Sequence, residues 1–422
     1  MSQAANPRET PSPVAPAPRA EKPLRVNVRT PEVMERVQAE VEEHYRSLIV
    51  EKIRARGGSL TIGDTRVRLA KQFGFCYGVE RAIDLAYASR RVFPENRIFL
   101  IGEIIHNPEV NRQLREMNIE TLPWKEMDAQ YDTLTGDDVV IVPAFGAPLD
   151  FMEKLDERGC KVVDTTCGDV MKVWRRVRSY AGDGVTSIIH GKAKHEETRA
   201  TASRAAGKSG AGHYLIILTL EDTEIVCDFI RNGGDPDAFL ERFGGAYSEG
   251  FDPARHLRRV GVANQTTMLK SETEEIQNRI RRAIADRDGG DETNFQVFDT
   301  ICGATQERQD ALFDLLGEPM DMLLVVGGYN SSNTSHLVEI GEKALPTFFI
   351  RGASCLKSLE EVLHFDLHRA EEVTSYPKAL LGDGPVTVGI TAGASCPSNL
   401  IENTVLKIFA LRGVSAERVH AA

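Results

Sequence analysis

Short apolar runs alternate with amphipathic, helix-like segments along most of the chain after residue 62. These runs are rich in Val, Ile and Leu, and they cover residues 67–73, 97–105, 139–144, 161–163, 187–190, 214–220, 260–263, 295–298, 323–326, 347–350 and 386–390. Short strands of this composition separated by helices are typical of parallel or mixed sheets that are covered on both faces. The pattern therefore predicts an α/β fold.

The chain before these strands lacks this alternation. Residues 1–30 contain six of the nineteen prolines and show no apolar periodicity, which predicts a disordered tail. A plastid transit peptide would be richer in serine and poorer in acidic residues. From Pro31 to Arg56 apolar residues recur at helical spacing, and Gly57 and Gly58 end the pattern. Residues 31–62 are therefore predicted to form a helical extension that packs against the first domain.

Three cysteines are each preceded by a strand candidate and followed by a helix-like run. They are Cys76, Cys167 and Cys302. A cysteine in the first turn of a helix lies at the positive end of the helix dipole, which favours the thiolate over the thiol. Ligands also collect at the carboxyl ends of strands in open α/β sheets. Three equivalent positions therefore indicate three thiolates that meet at one point.

The spacing of these cysteines predicts a threefold repeat of similar α/β domains, although no clear sequence identity at a fixed period supports it. We expect the domains at residues 63–165, 166–298 and 299–413, followed by a C-terminal tail at 414–422. Each domain then contains one of the three cysteines.

Composition narrows the functional classes. The 422 residues are too many for one typical core, and 41% of them are apolar, which is enough for folded domains. With 51 basic and 62 acidic residues the net charge is −11, which argues against nucleic acid or an anionic membrane as the main partner. No apolar run reaches the roughly 18 residues of a membrane helix. The seven cysteines favour reduced thiols and metal binding over disulfides, and the protein is expected to be cytoplasmic.

The residues alone leave three interpretations of the cysteines open. They could hold an iron–sulfur cluster with one open iron or a catalytic zinc ion, or they could be three unrelated buried side chains. Structural zinc usually takes closely spaced cysteine pairs, which this chain lacks, and soft sulfur ligands suit a cluster. Cys160, Cys227 and Cys355 have the contexts of small buried side chains, whereas Cys396 lies in a glycine-rich loop.

Other residues suggest an anion site. Two glycine-rich stretches, residues 325–333 and 389–395, each follow a strand and place hydroxyl and amide groups where a phosphate could bind, although plain turn and N-cap chemistry is the alternative. His106 and His195 follow strand ends. Glu197 could donate a proton if burial raised its pKa, or it could simply favour the dipole of the following helix.

Taken together, these segments resemble the family of 4-hydroxy-3-methylbut-2-enyl diphosphate reductases, which catalyse the last step of the methylerythritol phosphate isoprenoid pathway. The resemblance runs from about Tyr45 to Leu411. Eight segments occur in family order, namely residues 74–81, 106–107, 164–167, 195–197, 264–267, 301–302, 330–333 and 391–395. Eight ordered agreements make a chance resemblance untenable.

The resemblance implies a trefoil of three similar α/β domains around a central four-iron, four-sulfur cluster. It implies that Cys76, Cys167 and Cys302 bind the cluster and leave one iron site open. It also implies a diphosphate substrate, reduced to isopentenyl and dimethylallyl diphosphate with electrons from ferredoxin or flavodoxin, in a monomer or homodimer. The implied substrate-binding residues are His106, His195, Ser331, Ser332, Asn333 and Ser395. The implied proton donor is Glu197, with Thr266 orienting the substrate hydroxyl and relaying the proton.

Two residues depart from the family pattern. Phe145 stands where many bacterial members have a further histidine, and this places the chain in the plant and cyanobacterial branch. Gly168 stands where proline is usual, which loosens the first helical position. A non-catalytic iron–sulfur sensor on the same scaffold is the alternative function, but a sensor would need neither Glu197 nor Thr266.

Overall fold

A computed structural model of the chain describes residues 25–124, 127–207, 210–298, 300–378 and 384–422. Most of the predicted disordered tail therefore lies outside the described residues. No helix among the described residues is both long and apolar enough to cross a membrane.

The strands follow the predicted apolar runs, with four additions. Those additions are β1 (Ser59–Ile62), β4 (Ile119–Leu122), β13 (Val362–Asp366) and β14 (Glu371–Ser375). The remaining strands are β2 (Thr65–Leu69), β3 (Ile98–Ile101), β5 (Val139–Val142), β6 (Lys161–Asp164), β7 (Thr186–His190), β8 (Tyr214–Ile217), β9 (Val260–Asn264), β10 (Phe295–Val297), β11 (Met322–Val326), β12 (Thr347–Ile350) and β15 (Val386–Ala392).

Helices lie between most of these strands, and one short 3-10 helix spans Ala353–Cys355. The α-helices are α1 (Pro31–Tyr45), α2 (Leu48–Ala55), α3 (Tyr77–Val92), α4 (Pro108–Glu116), α5 (Met127–Tyr131), α6 (Leu149–Arg158), α7 (Gly168–Gly182), α8 (Glu196–Ala206), α9 (Leu220–Asn232), α10 (Pro236–Phe243), α11 (Pro253–His256), α12 (Lys270–Arg287), α13 (Gly303–Leu316), α14 (Ser332–Glu342), α15 (Ser398–Leu411) and α16 (Ala416–Ala421).

Three main sheets organise the molecule. The first has the order β4-β3-β5-β6 and the second β10-β9-β7-β8, and both are parallel throughout. The third has the order β1-β2-β15-β11-β12 and is parallel except for the β1–β2 hairpin. Strands β13 and β14 form a separate antiparallel pair. Continuous apolar strands such as Val139–Val142 are buried along their whole length, as parallel sheets covered on both faces require.

Each of the three cysteines lies where the chain passes from one sheet to the next. Strand β2 of the third sheet leads through Cys76 into α3, whose apolar face packs on the first sheet. Strand β6 of the first sheet leads through Cys167 into α7, which packs on the second. Strand β10 of the second sheet leads through Cys302 into α13, which packs on the third. The three α/β units are therefore joined in a closed ring, and the predicted α/β trefoil architecture is confirmed.

Four predicted boundaries need correction. The first domain does not begin at residue 63, because β2 pairs with β15 in the third sheet. The predicted extension, residues 31–62, ends in strand β1 rather than remaining helical. Residues 414–422 are not a tail, since α16 buries Val419 in the core of the third unit. Residues 25–30 are also ordered, because Val28 is buried in the core of the first unit. Sequence periodicity could not show these contacts, which join distant parts of the chain.

The contact of residues 25–30 predicts a measurable stabilisation. Val28 is 1% exposed, and replacing it with alanine removes the equivalent of two buried methylene groups. The Val28→Ala variant should lose about 1.5 kcal/mol of unfolding free energy, measured by urea denaturation. The exposed neighbour Arg29 provides the control, because Arg29→Ala retains the backbone N–H that bonds to Asn27. Equal stability of the two variants would contradict the burial of Val28.

Candidate active site

One cavity is lined by residues from all three units. All the residues that the sequence analysis proposed for the site border it: Cys76, His106, Cys167, His195, Glu197, Thr266, Cys302, Ser331, Ser332, Asn333 and Ser395. The structure thus brings together side chains that lie as far apart in the chain as Cys76 and Ser395. The role of each residue depends on its hydrogen bonds, its burial and its distances to its neighbours.

The three cysteines occupy equivalent positions in detail. Each is the N-cap residue of its helix, and each has an extended backbone conformation. Each backbone N–H also donates to a carbonyl just beyond the neighbouring strand of the preceding sheet: Cys76 to Ala394 (3.3 Å), Cys167 to Ala144 (2.9 Å) and Cys302 to Thr266 (3.2 Å). These bonds fix where each strand ends and its helix begins. They hold the three thiol groups against one cavity.

These three thiols differ from the other four. Cys76, Cys167 and Cys302 are partly exposed, whereas Cys160, Cys227, Cys355 and Cys396 are buried. Burial raises the pKa of Cys302 to about 12 and also raises the pKa of Cys167, against the opposing effect of first-turn backbone N–H groups. For Cys167 and Cys302, burial therefore outweighs the first-turn N–H groups that favour the thiolate. A bound cation would be needed to displace their protons.

The spacing of the sulfur atoms bears on which metal would fit. Within the described residues, the only three potential ligand atoms that all lie within 4.8 Å of one another belong to His106, His195 and Glu196. At least one of the three distances between the cysteine sulfurs therefore exceeds 4.8 Å. A single tetrahedral zinc ion with Zn–S bonds of about 2.3 Å would draw its three sulfurs to within about 4 Å of one another. The wider spacing suits a polynuclear cluster better than one zinc ion.

The ligand atoms of His106, His195 and Glu196 lie close enough together for a metal site. The Nε2 atom of His195, however, carries a proton. The Nδ1 atom of His195 accepts a hydrogen bond from the backbone N–H of Glu197 at 3.2 Å. A neutral imidazole then carries its proton on Nε2, so that nitrogen donates and has no lone pair for a metal. Burial lowers the pKa of His195 well below its ordinary value, which keeps the ring neutral. His195 therefore offers an N–H donor rather than a lone pair at Nε2.

His106 is held from three sides. Its Nδ1 lies 2.9 Å from a carboxylate oxygen of Glu103, and its Nε2 lies 3.2 Å from Nε2 of His195. Phe145 stacks on its ring at a centroid distance of 4.5 Å. The aromatic residue that departs from the bacterial pattern thus fixes the plane of the imidazole by packing. The sequence analysis missed Glu103, although a carboxylate three residues before a candidate histidine was a usable signal.

Glu197 and Thr266 form a buried pair. The backbone N–H of Thr266 donates to Oε1 of Glu197 at 2.6 Å, and the Thr266 hydroxyl donates to Oε2 at 3.1 Å. Glu197 is only 3% exposed, and this burial raises its pKa to about 7 despite both hydrogen bonds. The carboxyl group can therefore hold or release a proton near neutral pH. Glu197 does lie in the first turn of α8, as the helix-dipole alternative requires, but it is buried rather than solvated.

The glycine-rich loops place polar groups around the same cavity. Ser331 caps α14, and its hydroxyl oxygen accepts hydrogen bonds from the backbone N–H and the hydroxyl of Thr334. The side-chain oxygen of Asn333 accepts from Ala394 N–H at 2.9 Å, while its buried Nδ2 has no hydrogen-bond partner. A buried amide donor without a partner is uncommon, and an anion would satisfy it. Glycine is required at 393, since a Cβ there would lie 2.0 Å from the Thr334 hydroxyl oxygen.

Comparison with known proteins identifies the family. The profile of the LytB protein family matches residues 67–409. The chain belongs to the LytB protein family. Three cyanobacterial relatives of this LytB protein are named 4-hydroxy-3-methylbut-2-enyl diphosphate reductase. They come from Gloeobacter violaceus (49% identical over 385 residues, 90% of each chain), Thermosynechococcus vestitus (48% over 384 residues) and Cyanothece sp. (47% over 386 residues), and the last two alignments cover 90% of this chain and 93% of the relative.

Solved structures agree with this assignment. A structure of (E)-4-hydroxy-3-methyl-but-2-enyl diphosphate reductase aligns with a TM-score of 0.50 and 26% identity, over 82% of this LytB protein and 100% of the other chain. The Plasmodium falciparum reductase aligns with a TM-score of 0.58 over 80% of this chain and 86% of that chain. At 20% identity the second likeness shows the fold alone. The predicted family is confirmed, and so is its α/β fold.

The buried carboxyl of Glu197 predicts a pH dependence of stability. Its pKa rises from an ordinary 4.5 to about 7 on folding, so the folded protein binds this proton more tightly than the unfolded chain. The resulting stabilisation is complete below pH 4.5 and is lost as the pH rises through about 7, a change of about 3 kcal/mol. Glu197→Gln should flatten this part of the stability curve in anaerobic urea titrations. Glu196→Gln, at a partly exposed neighbour, is the control, and parallel curves for wild type and Glu197→Gln would contradict the assignment.

Proposed function

We propose that this protein reduces (E)-4-hydroxy-3-methylbut-2-enyl diphosphate to isopentenyl diphosphate and dimethylallyl diphosphate, the last step of the methylerythritol phosphate pathway. The observation that carries the proposal is the set of side chains that lines one cavity. Three cysteines, several hydroxyl, amide and imidazole groups, and a buried carboxyl all border the same space. A short substrate with a hydroxyl at one end and a diphosphate at the other matches this arrangement. Two electrons and two protons convert its C–OH group into C–H and water.

The cysteines suit a four-iron, four-sulfur cluster. Cys76, Cys167 and Cys302 would each bind one iron and leave the fourth iron without a protein ligand. The donor set is soft, the three cysteines follow strands of three different sheets, and at least one pair of their sulfurs lies more than 4.8 Å apart, further than two ligands of one zinc ion. When bound, such a cluster supplies electrons one at a time and an open iron that can accept the substrate hydroxyl.

The side chains of His195, Ser331 and Asn333 would hold the diphosphate. His195 presents an Nε2–H group, and the hydroxyl of Ser331 retains its hydrogen because its oxygen only accepts within the loop. The buried Nδ2 of Asn333 supplies another donor. Ser332, Ser395 and His106 border the same space. Several donors in one cavity, with α14 starting beside them, suit a negatively charged group such as a diphosphate.

Glu197 would deliver the proton through Thr266. When Glu197 is protonated, its O–H can donate to the Thr266 hydroxyl oxygen, 3.1 Å away, and that hydroxyl can then donate to the substrate oxygen. Thr266 would thus relay the proton from Glu197 toward the substrate. A pKa of about 7 suits a group that must both give and regain a proton at neutral pH.

Electrons would come from a small protein carrier, a ferredoxin or a flavodoxin. The residues that directly follow the three cysteines, Tyr77, Gly168 and Gly303, are all exposed, so the cysteine end of the cavity lies close to the surface. Helix α7, which begins after Cys167, carries no acidic residue after Asp169. Its basic residues are Lys172, Arg175, Arg176 and Arg178. In a protein with a net charge of −11, this basic face suits an acidic carrier.

Metal analysis and turnover test the proposal together. Anaerobically purified protein should contain iron and acid-labile sulfide in equal amounts, about four of each per chain, and should form both five-carbon diphosphates when supplied with a reductant. Cys76→Ser, Cys167→Ser and Cys302→Ser should each lower the iron content, whereas Cys227→Ser, at a buried thiol in the second core, should not. Zinc in place of iron would contradict the proposal. A full cluster without turnover would favour an iron–sulfur sensor.

Replacing Glu197 separates proton delivery from binding. Glu197→Gln keeps the size of the side chain and the acceptor for Thr266 N–H but removes the transferable proton. Turnover should fall at least about a hundredfold, while iron content and substrate affinity stay near wild type. Turnover within a few fold of wild type would show that another group delivers the proton.

A further inference from the structure

The side chain of Gln265 connects the second unit to Ser332, which belongs to the glycine-rich stretch 325–333 of the third unit. It is 1% exposed, and its Oε1 accepts hydrogen bonds from Lys192 N–H and the Thr198 hydroxyl, each at 3.1 Å. Its Nε2 donates to Thr267 Oγ1 at 2.8 Å and to Ser332 Oγ at 3.1 Å. Both lone pairs and both hydrogens of the amide are therefore used.

The orientation of this amide is fixed by its partners. A backbone N–H such as that of Lys192 can only donate, so the oxygen of Gln265 must face it, and the NH2 group must then face Ser332. Close packing excludes large rotations. A Cβ at Gly191 would lie 2.9 Å from the Cβ of Gln265 and 2.9 Å from the Thr198 hydroxyl oxygen, so only glycine fits beside this contact.

The direction of this hydrogen bond determines what Ser332 can do. Because its hydroxyl oxygen accepts from Gln265, its hydrogen is not spent on that contact. No other hydrogen bond involves the Ser332 hydroxyl within the described part of the chain. Ser332 borders the cavity beside Asn333, whose buried Nδ2 is also without a partner. Both groups can therefore donate into the same space.

We propose that Gln265 is a positioning residue that turns the Ser332 hydroxyl hydrogen toward the bound diphosphate. Residues of the second unit hold the amide oxygen of Gln265 in one orientation. The NH2 group must therefore donate to the hydroxyl oxygen of Ser332 in the third unit, so Ser332 accepts this hydrogen bond. The inference rests on the proposed function for the identity of the anion. It assigns a role in substrate affinity to a residue that lies behind Ser332 rather than against the substrate.

Gln265→Glu tests this directly. Above its pKa the new carboxylate can only accept, so the Ser332 hydroxyl should turn toward it and away from the anion. We expect KM to rise roughly tenfold to a hundredfold at pH 8, with a smaller change in kcat, and to recover as the pH falls and the carboxyl regains a donor. Binding of inorganic diphosphate, measured by calorimetry, should weaken in parallel. Gln309→Glu, which places a carboxylate at another buried glutamine, should leave KM unchanged.

A double-mutant cycle with Ser332→Ala separates positioning from general structural damage. If Gln265 acts through Ser332, adding Gln265→Glu to Ser332→Ala should raise KM little further. Gln265→Met, which can neither donate nor accept at this position, should raise KM without the pH recovery and keeps the test valid if the glutamate variant fails to fold. Independent, additive effects, or an unchanged KM, would overturn the inference. Absence of turnover in the wild type would count against the proposed function instead, while the diphosphate titration would still decide the role of Gln265.

Discussion

The placement of the three cysteines depends on one constraint, which is that each lies where a strand of one sheet becomes a helix of the next unit. The backbone N–H of each cysteine is bonded to the end of the neighbouring strand, so strand pairing and thiol position cannot vary separately. The helices are then held by packing against another sheet. This pattern repeats three times, and the third unit connects back to the first. Packing of the three units therefore brings the three cysteines together. The same packing forms the walls of the cavity.

Burying the polar groups of this cavity costs free energy. Hydrogen bonds to neighbouring residues offset part of that cost. Glu197 is satisfied by the backbone and hydroxyl of Thr266 and is kept from ionising fully by its surroundings. His195 is kept neutral by its burial and is given one tautomer by a backbone contact. Asn333 retains an unsatisfied amide donor. Polar groups left unsatisfied in a folded protein often mark the place where a ligand completes the network.

Local sequence patterns predicted the strands and helices well, because burial on both faces leaves continuous apolar runs. They missed β4, whose Ile119–Leu122 includes two exposed polar positions, and the exposed hairpin strand at Glu371–Ser375. They also assigned β2 to the wrong sheet, since the choice of partner strand is a long-range property. The candidate site residues were found through motifs. Gln265 lies within one of those motifs but received no role, because its contacts with Ser332 and Lys192 exist only in three dimensions.

The third sheet is built from both ends of the chain, and this sets the order of events during synthesis. Strand β2 leaves the ribosome early, but its neighbour β15 follows some three hundred residues later. The carbonyl of Ala394 that anchors Cys76 arrives later still. The first thiol therefore cannot reach its final place until β15 and Ala394 have left the ribosome. A nascent chain that stops before these residues would lack the contacts that bring Cys76 beside the other two cysteines.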